Sequence, residues 1–248
     1  MEDFKLMLDL HLEGDRQGPG SEAMTLRALE LSGLDPNASL RVADIGCGSG
    51  ASTLALARHT QWQIIAVDFF PVFLEKLSRQ AQQQGVGDQI EAMAGDMNQL
   101  PFAEAQFDLI WSEGAIYNMG FEKGIAEWGR FLKPGGILAV SEIAWLTEER
   151  PDELTAFWER EYPEIGTIGE KIRVLEQQGY SSLAHFVLPP ACWIQEYYLP
   201  TQERIPSFLE RHNNSVAAQE LVAMENEERA LYVANQAFYS YGFFLAQR

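Results

Sequence analysis

Apolar positions along the chain change period in a regular order. Short apolar runs at Leu40–Ile45, Gln63–Asp68, Gln89–Ala94, Phe107–Trp111 and Ile137–Ile143 have strand length and strand composition. Helical patterns lie between them. Thr53 to Arg58 continues as a helix after the first run, and Pro71–Gln84 carries proline in its first turn. Gly120–Leu132 sets Ile125, Trp128 and Leu132 on one face, and Pro134, Gly135 and Gly136 read as a turn before the fifth strand. Ahead of the first strand, Ser21–Leu34 reads as an amphipathic helix with Met24, Ala28 and Leu31 on one face. Strands alternating with helices predict an α/β fold, a parallel sheet with helices on both faces.

The remainder has a different rhythm. Asp152–Tyr162 and Thr167–Gln178 read as helices, and Tyr180–Leu188 as a sixth strand. Pro189 and Pro190 then break the chain. Two more helices, Thr201–His212 and Ser215–Gln236, precede an aromatic-rich terminal strand, Tyr239–Ala246. The residues between the last two strands, about 190–237, read as a helical insertion. The expected organisation is one domain over 1–248: an N-terminal lid and helix to 35, a ligand-binding core over 36–145, and the insertion.

The end of the first strand carries the most specific chemistry. Asp44 is followed by Gly46, Cys47, Gly48 and Gly50, and the helix then begins. Alternating glycines let backbone and ligand approach closely, and free N–H groups at a helix start favour an anionic ligand group. Asp68 closes the second strand, where an acid is placed to accept hydrogen bonds from ribose hydroxyls. These parts describe a pocket for a ligand with a ribose and a carboxylate or phosphate. Gly46, Gly48 and Ala51 also satisfy the dinucleotide fingerprint, so an NAD(P)-dependent oxidoreductase stays open, as does a non-catalytic binding protein.

Composition narrows the partners. The net charge of −18, with 36 acidic against 18 basic residues, argues against nucleic acid and against an anionic membrane surface. No apolar stretch reaches membrane-spanning length, and the first residues lack the pattern of a signal peptide. Two cysteines, Cys47 and Cys192, make neither a disulfide framework nor a metal motif, and the four histidines show no ligand spacing. The cytoplasm is the expected compartment and no metal is expected. Homodimerisation stays open.

Five segments in order resemble the class I S-adenosylmethionine-dependent methyltransferases. They are Asp44–Gly50, Val67 with Asp68, Gly95–Met97 followed by Leu100–Phe102, Phe107–Glu113, and Leu132–Gly136. The whole chain also resembles a narrower small-molecule methyltransferase group, through Arg16–Ser21 and Glu113–Asn118. The resemblance implies a Rossmann-like, seven-stranded, mostly parallel sheet whose last strand is antiparallel. It also implies S-adenosylmethionine as cofactor, with S-adenosylhomocysteine as product, and a small-molecule methyl acceptor as partner.

Residue roles follow. Asp44, Gly46, Cys47, Gly48 and Gly50 are expected around the methionine end of the cofactor, Asp68 on the ribose, and Phe69, Asp96 and Met97 around the adenine. Arg16 lies in a Gly-Pro-Gly loop that suits a lid and is expected to meet the cofactor carboxylate. Glu113 and Tyr117 follow the fourth strand, at the end where open α/β sheets bind ligands. Glu113 is a candidate cofactor contact or base, Tyr117 a lining of the methyl-transfer channel, and Glu142 a further candidate base. His185 is the weaker choice for that task. Trp145, Trp193 and Tyr197, with Tyr198, are candidate substrate contacts; packing of the insertion onto the sheet is the competing role for the last three.

Overall fold

The computed structural model describes residues 2–248. Five parallel strands carry the first part of the sheet: β1 (Arg41–Ile45), β2 (Gln63–Asp68), β3 (Ile90–Ala94), β4 (Phe107–Glu113) and β5 (Leu132–Trp145). A two-residue β6 (Gly166–Thr167) pairs with the end of β5; β7 (Ser181–Val187) and β8 (Tyr239–Gln247) complete the sheet. The order is β3-β2-β1-β4-β5-β8-β7, with β8 antiparallel to both neighbours. The seven main strands are those expected, and β6 is an addition that periodicity cannot reveal at two residues. The order reverses between β1 and β4, the position where such sheets open a crevice at the carboxyl ends of their strands.

β5 departs from expectation. Pro134, Gly135 and Gly136 belong to the strand rather than to a turn before it. Gly135 takes φ +80°, its N–H donates to the carbonyl of Arg248, and Arg248 N–H donates to Gly136. The β8 end thus holds the irregular stretch in the sheet, and the register against β4 slips between Phe107 and Leu109. Every residue of β8 but Gln247 is buried, as a strand covered on both faces requires.

Helices α2 (Glu22–Ser32), α3 (Ala51–His59), α4 (Pro71–Gln83), α5 (Phe121–Gly129), α6 (Asp152–Glu161) and α7 (Ile168–Gln177) follow the predicted segments. Ser21 caps α2 by accepting from Met24 N–H, and Gly33 ends it in the left-handed region. The buried face of α2 is Thr25, Ala28 and Ser32; Leu31, expected inside, is exposed. Thr167 and Glu170 form a reciprocal capping box on α7.

Two helical features go beyond the sequence reading. An N-terminal helix, α1 (Glu2–Leu12), buries Leu6 and Leu10 against Phe208 and Ala218 of the insertion. The insertion itself is helical from Pro190. α8 (Pro190–Trp193) passes through a π-helical turn, Ile194–Tyr198, into α9 (Leu199–Arg211), and Ser215 caps α10 (Val216–Asn235). Trp193, Tyr197 and Tyr198 therefore sit on helix rather than before it. α1 packs against α9 and α10, so the N-terminus and the insertion form one cap.

Candidate active site

A cavity of about 600 Å³ lies between this cap and the carboxyl ends of β1, β2 and β4. The glycine turn forms one wall. Gly46, Gly48 and Gly50 have φ of +76°, +55° and +87°, values L side chains rarely adopt. A Cβ at Gly46 would meet Ala115, one at Gly48 would meet Gln17, and one at Gly50 would meet Leu77. The glycines thus serve the turn's own packing as well as ligand approach. Gly46, Cys47 and Gly48 line the cavity; Gly50 faces Leu77 of α4 instead.

The turn's N–H groups are committed, which corrects the expectation of free donors. Gly46 and Cys47 N–H both donate to the Val67 carbonyl, at 2.8 and 3.0 Å. Gly48 N–H donates to Asp68 at 2.8 Å, Ser49 N–H to Gln17 at 2.8 Å, and Gly50 N–H to the Cys47 carbonyl at 2.9 Å. The turn offers shape, and the neighbouring side chains offer the charge. Asp44 is likewise not on the cavity wall. It is fully buried, and one carboxylate oxygen accepts from Ser52 and Thr53 hydroxyls at 2.9 and 2.6 Å, locking the first turn of α3 under the glycines. Burial pushes its carboxyl up to about 7. Burial also pushes the Cys47 thiol well above its ordinary value, which suits a packing role and not a nucleophile.

Asp68 stands on the wall at the end of β2. Gly48 N–H holds one oxygen and Phe70 N–H the other, at 2.8 and 2.9 Å, so the carboxylate is oriented by backbone alone. Phe69 beside it is 65% exposed and lines the cavity, so its ring is available to a ligand and not part of the core. Asp96 and Met97 line the same end. One oxygen of Asp96 accepts from Asn98 N–H and from the Asn98 amide, and these bonds lower its carboxyl below the usual range. Met97 is fixed by its carbonyl, which accepts from Trp128.

At the opposite end Arg16 does not wait for a ligand. Its guanidinium donates to Glu113 at 2.8 Å and to the Thr25 hydroxyl at 3.2 Å. Glu113 also accepts from Thr25 and Trp111, at 2.6 and 3.1 Å. With both side chains largely buried, the pair ties the Gly-Pro-Gly loop to β4. A carboxylate with three partners is a positioning group and not a free base. Gln17, the next residue, bonds the glycine turn through Ser49 and the loop through the Gly14 carbonyl. Lys76 closes the other side by donating to the carbonyls of Leu12, Glu13 and Gly14. The sequence carries no signal for the roles of Gln17 and Lys76, although Gln17 lies within the Arg16–Ser21 loop.

Tyr117 lines the cavity, 41% exposed, with its ring edge-on to Tyr162. Tyr197 reaches the cavity from the π-helical turn, stacked on His11 of α1. Glu225 and Glu228 of α10 complete that wall; the sequence carries no signal for them, since they lie in a long polar helix far from every motif.

Four expected contacts fall elsewhere. Glu142 is fully buried off the cavity, paired with Lys171 at 3.4 Å, and burial raises its carboxyl to about 7. Lys171 also sits over the rings of Phe121 and Tyr162. Trp145 packs against Tyr239 with Arg150 over its ring. Trp193 is 3% exposed, stacks on Tyr232 at 4.2 Å and donates to Ser240 at 2.9 Å. Tyr198 is buried with its hydroxyl on Glu228. Trp193 ties the insertion to β8, Tyr198 binds its helices together, and Glu142 and Trp145 are packed against α7 and β8. His185 is exposed on β7, neither core nor site.

The sheet order, the glycine turn and the acid closing β2 define the class I methyltransferase architecture. Among known families, the methyltransferase domain matches residues 42–136. Sterol 24-C-methyltransferase of Eremothecium gossypii is 33% identical over 113 residues, 45% of this chain and 30% of that protein. The chain spans about a third to a half of the length of the curated relatives it matches. In fold, YjhP from E. coli is similar at a TM-score of 0.86 and 20% identity, over 98% of this chain and all of that one. A methyltransferase from Geobacter sulfurreducens in complex with S-adenosylhomocysteine gives a TM-score of 0.83 at 19% identity, over 100% of this chain and 98% of that one. The match to the methyltransferase domain takes in the glycine turn, Asp68, Asp96 and Glu113, and the structural likeness extends the same fold over the rest of the chain.

Proposed function

We propose that the chain transfers a methyl group from S-adenosylmethionine to a small-molecule acceptor held in the same cavity. The carrying observation is Asp68: a carboxylate at the cavity wall, closing β2, oriented by two backbone N–H groups beside a turn whose three glycines take left-handed φ. The residues fit the cofactor. Its ribose would meet Asp68, its adenine Phe69, Asp96 and Met97, and its amino-acid end the space between Gly46, Gly48 and the Arg16–Glu113 pair. A cavity of about 600 Å³ is within the range that holds a ligand of this size. S-adenosylmethionine would supply a methyl group on a sulfonium, already a good leaving group. The protein's contribution is then alignment and exclusion of water. Tyr117 and Tyr197 shape the acceptor side. No nucleic acid is proposed as partner, given 36 acidic against 18 basic residues. With both thiols free and buried, the cytoplasm is the proposed setting.

Ligand protection tests this against the oxidoreductase reading. At about 100 times its dissociation constant, a ligand of the native state adds roughly 2.7 kcal/mol of stability. S-adenosylhomocysteine is expected to raise the melting temperature and NADH to leave it unchanged. Protection by NADH alone would replace the proposal with the oxidoreductase. The loop around Arg16 and Gln17 would act as the lid: hydrogen exchange over residues 11–22 is expected to slow when S-adenosylhomocysteine binds. Identical exchange with and without ligand would make the segment a fixed strap.

A further inference from the structure

We propose that the acceptor is an amine that binds as its ammonium form against Glu225 and Glu228 of α10, which rests on the methyltransferase reading above. The cavity wall is mostly acidic. Among the described residues it carries Asp15, Asp68, Asp96, Glu113, Glu225 and Glu228 against a single arginine, Arg16, and one histidine, His11. Arg16 is already paired with Glu113. Asp68 and Asp96 stand at the ribose and adenine end. Glu225 and Glu228, one helical turn apart on α10, are left at the acceptor side, and among the described residues no lysine and no arginine but the paired Arg16 lines the wall.

Their bonding is incomplete. Glu228 accepts from the Tyr198 hydroxyl at 3.0 Å through one oxygen. Glu225 meets His11 Nε2 at 3.3 Å through one oxygen, while its second oxygen is buried without a partner. Enclosure in the cavity and the neighbouring Glu225 push the Glu228 carboxyl above its ordinary value, as expected for two acids sharing a wall without a cation.

Two further side chains point to a ligand. Tyr197, 7% exposed, lines the cavity, and among the described residues its hydroxyl makes no hydrogen bond. His11, with its side chain 10% exposed, lines the cavity with Nδ1 unpartnered. A buried polar group without a partner costs stability unless a ligand or water completes it. Carboxylates satisfy an ammonium by charge-assisted hydrogen bonds, and the exposed ring of Tyr117 favours a cation over its face. An anionic acceptor would face two uncompensated acids.

The reaction balances with these groups. The ammonium gives a proton to Glu228 or to water and becomes a neutral amine. Its lone pair forms the N–C bond as the C–S bond breaks, and sulfur keeps the pair as a neutral thioether. The N-methylated amine leaves as its ammonium form, with one proton released per turnover.

The test uses the full chain saturated with S-adenosylhomocysteine, its binding measured first by calorimetry. Matched phenylalkyl amines, alcohols and carboxylates with one to four methylenes are then titrated into that complex. Support is binding of at least one amine ten times or more tighter than its alcohol and carboxylate counterparts. It also requires a tenfold or greater loss of that binding in Glu228→Gln, with S-adenosylhomocysteine affinity within twofold. Glu225→Gln serves in the same way if Glu228→Gln does not fold. Binding of S-adenosylhomocysteine without amine preference, or an amine preference unmoved by the substitution, overturns the inference and leaves the methyltransferase reading standing. Failure to bind S-adenosylhomocysteine overturns both.

Discussion

Trp193→Ala is expected to cost about 3–5 kcal/mol of folding stability, the range for removing a large aromatic from a packed core, and to leave cofactor affinity within about threefold, below roughly 0.7 kcal/mol. Trp193 is 3% exposed and stacked between Tyr232 and Tyr241, at 4.2 and 5.3 Å. Its indole N–H donates to Ser240, whose hydroxyl in turn donates to the Leu188 carbonyl. Truncation opens a cavity and leaves Ser240 without its donor, in a layer that joins α8, α10 and β8. At about 2–4 °C per kcal/mol for a chain of this size, the melting temperature should fall by roughly 6–20 °C. Denaturant unfolding with a calorimetric titration checks both halves. A stable variant with a raised acceptor KM would return Trp193 to the site.

Gly48→Val should abolish cofactor binding, a loss of at least about a hundredfold, or roughly 2.7 kcal/mol. Gly48 has φ +55°, where a β-branched residue is strained, and a Cβ there would strike the Gln17 side chain. Gln17 holds Ser49 N–H, and Gly48 N–H holds Asp68. One substitution therefore disturbs the turn, the loop over it and the orientation of the ribose acid. The turn lies beyond the carboxyl end of β1, outside the strand ladder, so far-UV circular dichroism should still report the sheet. Native affinity in a folded variant would reduce the glycine run to a tight turn.

The two variants separate what sequence exposes from what it hides. The glycine spacing, the acid after an apolar strand and the alternation of strand and helix are local, and each keeps its meaning without knowing the rest of the chain. They led to β1 through β5, to a terminal strand at β8 and to Asp68; the family resemblance added the antiparallel direction of β8 and the roles of Phe69, Asp96 and Met97, which line the same cavity. Burial on a particular face is not local. Trp145 and Trp193 are covered by β8 and α10, and nothing near either tryptophan in sequence says so. Glu142 ends up buried because Lys171 comes to it from α7. Arg16 looks free for a ligand in sequence because its partner, Glu113, lies 97 residues away. The same distance problem hides His11, Glu225 and Glu228. The α1 helix is short, and its apolar residues acquire a partner only in Phe208 and Ala218. Asp44 belongs to the motif, yet two hydroxyls of the next helix claim it first.

On the proposed function, the glycine turn and Asp68 hold S-adenosylmethionine. Calorimetric titration of S-adenosylhomocysteine into the chain and into Asp68→Ala tests it most directly. A charged acceptor contributes roughly 1.5–3 kcal/mol per hydrogen bond, so one site per chain and at least about tenfold weaker binding in the variant are expected. Equal affinity in a folded Asp68→Ala protein, or no binding to either, would contradict it.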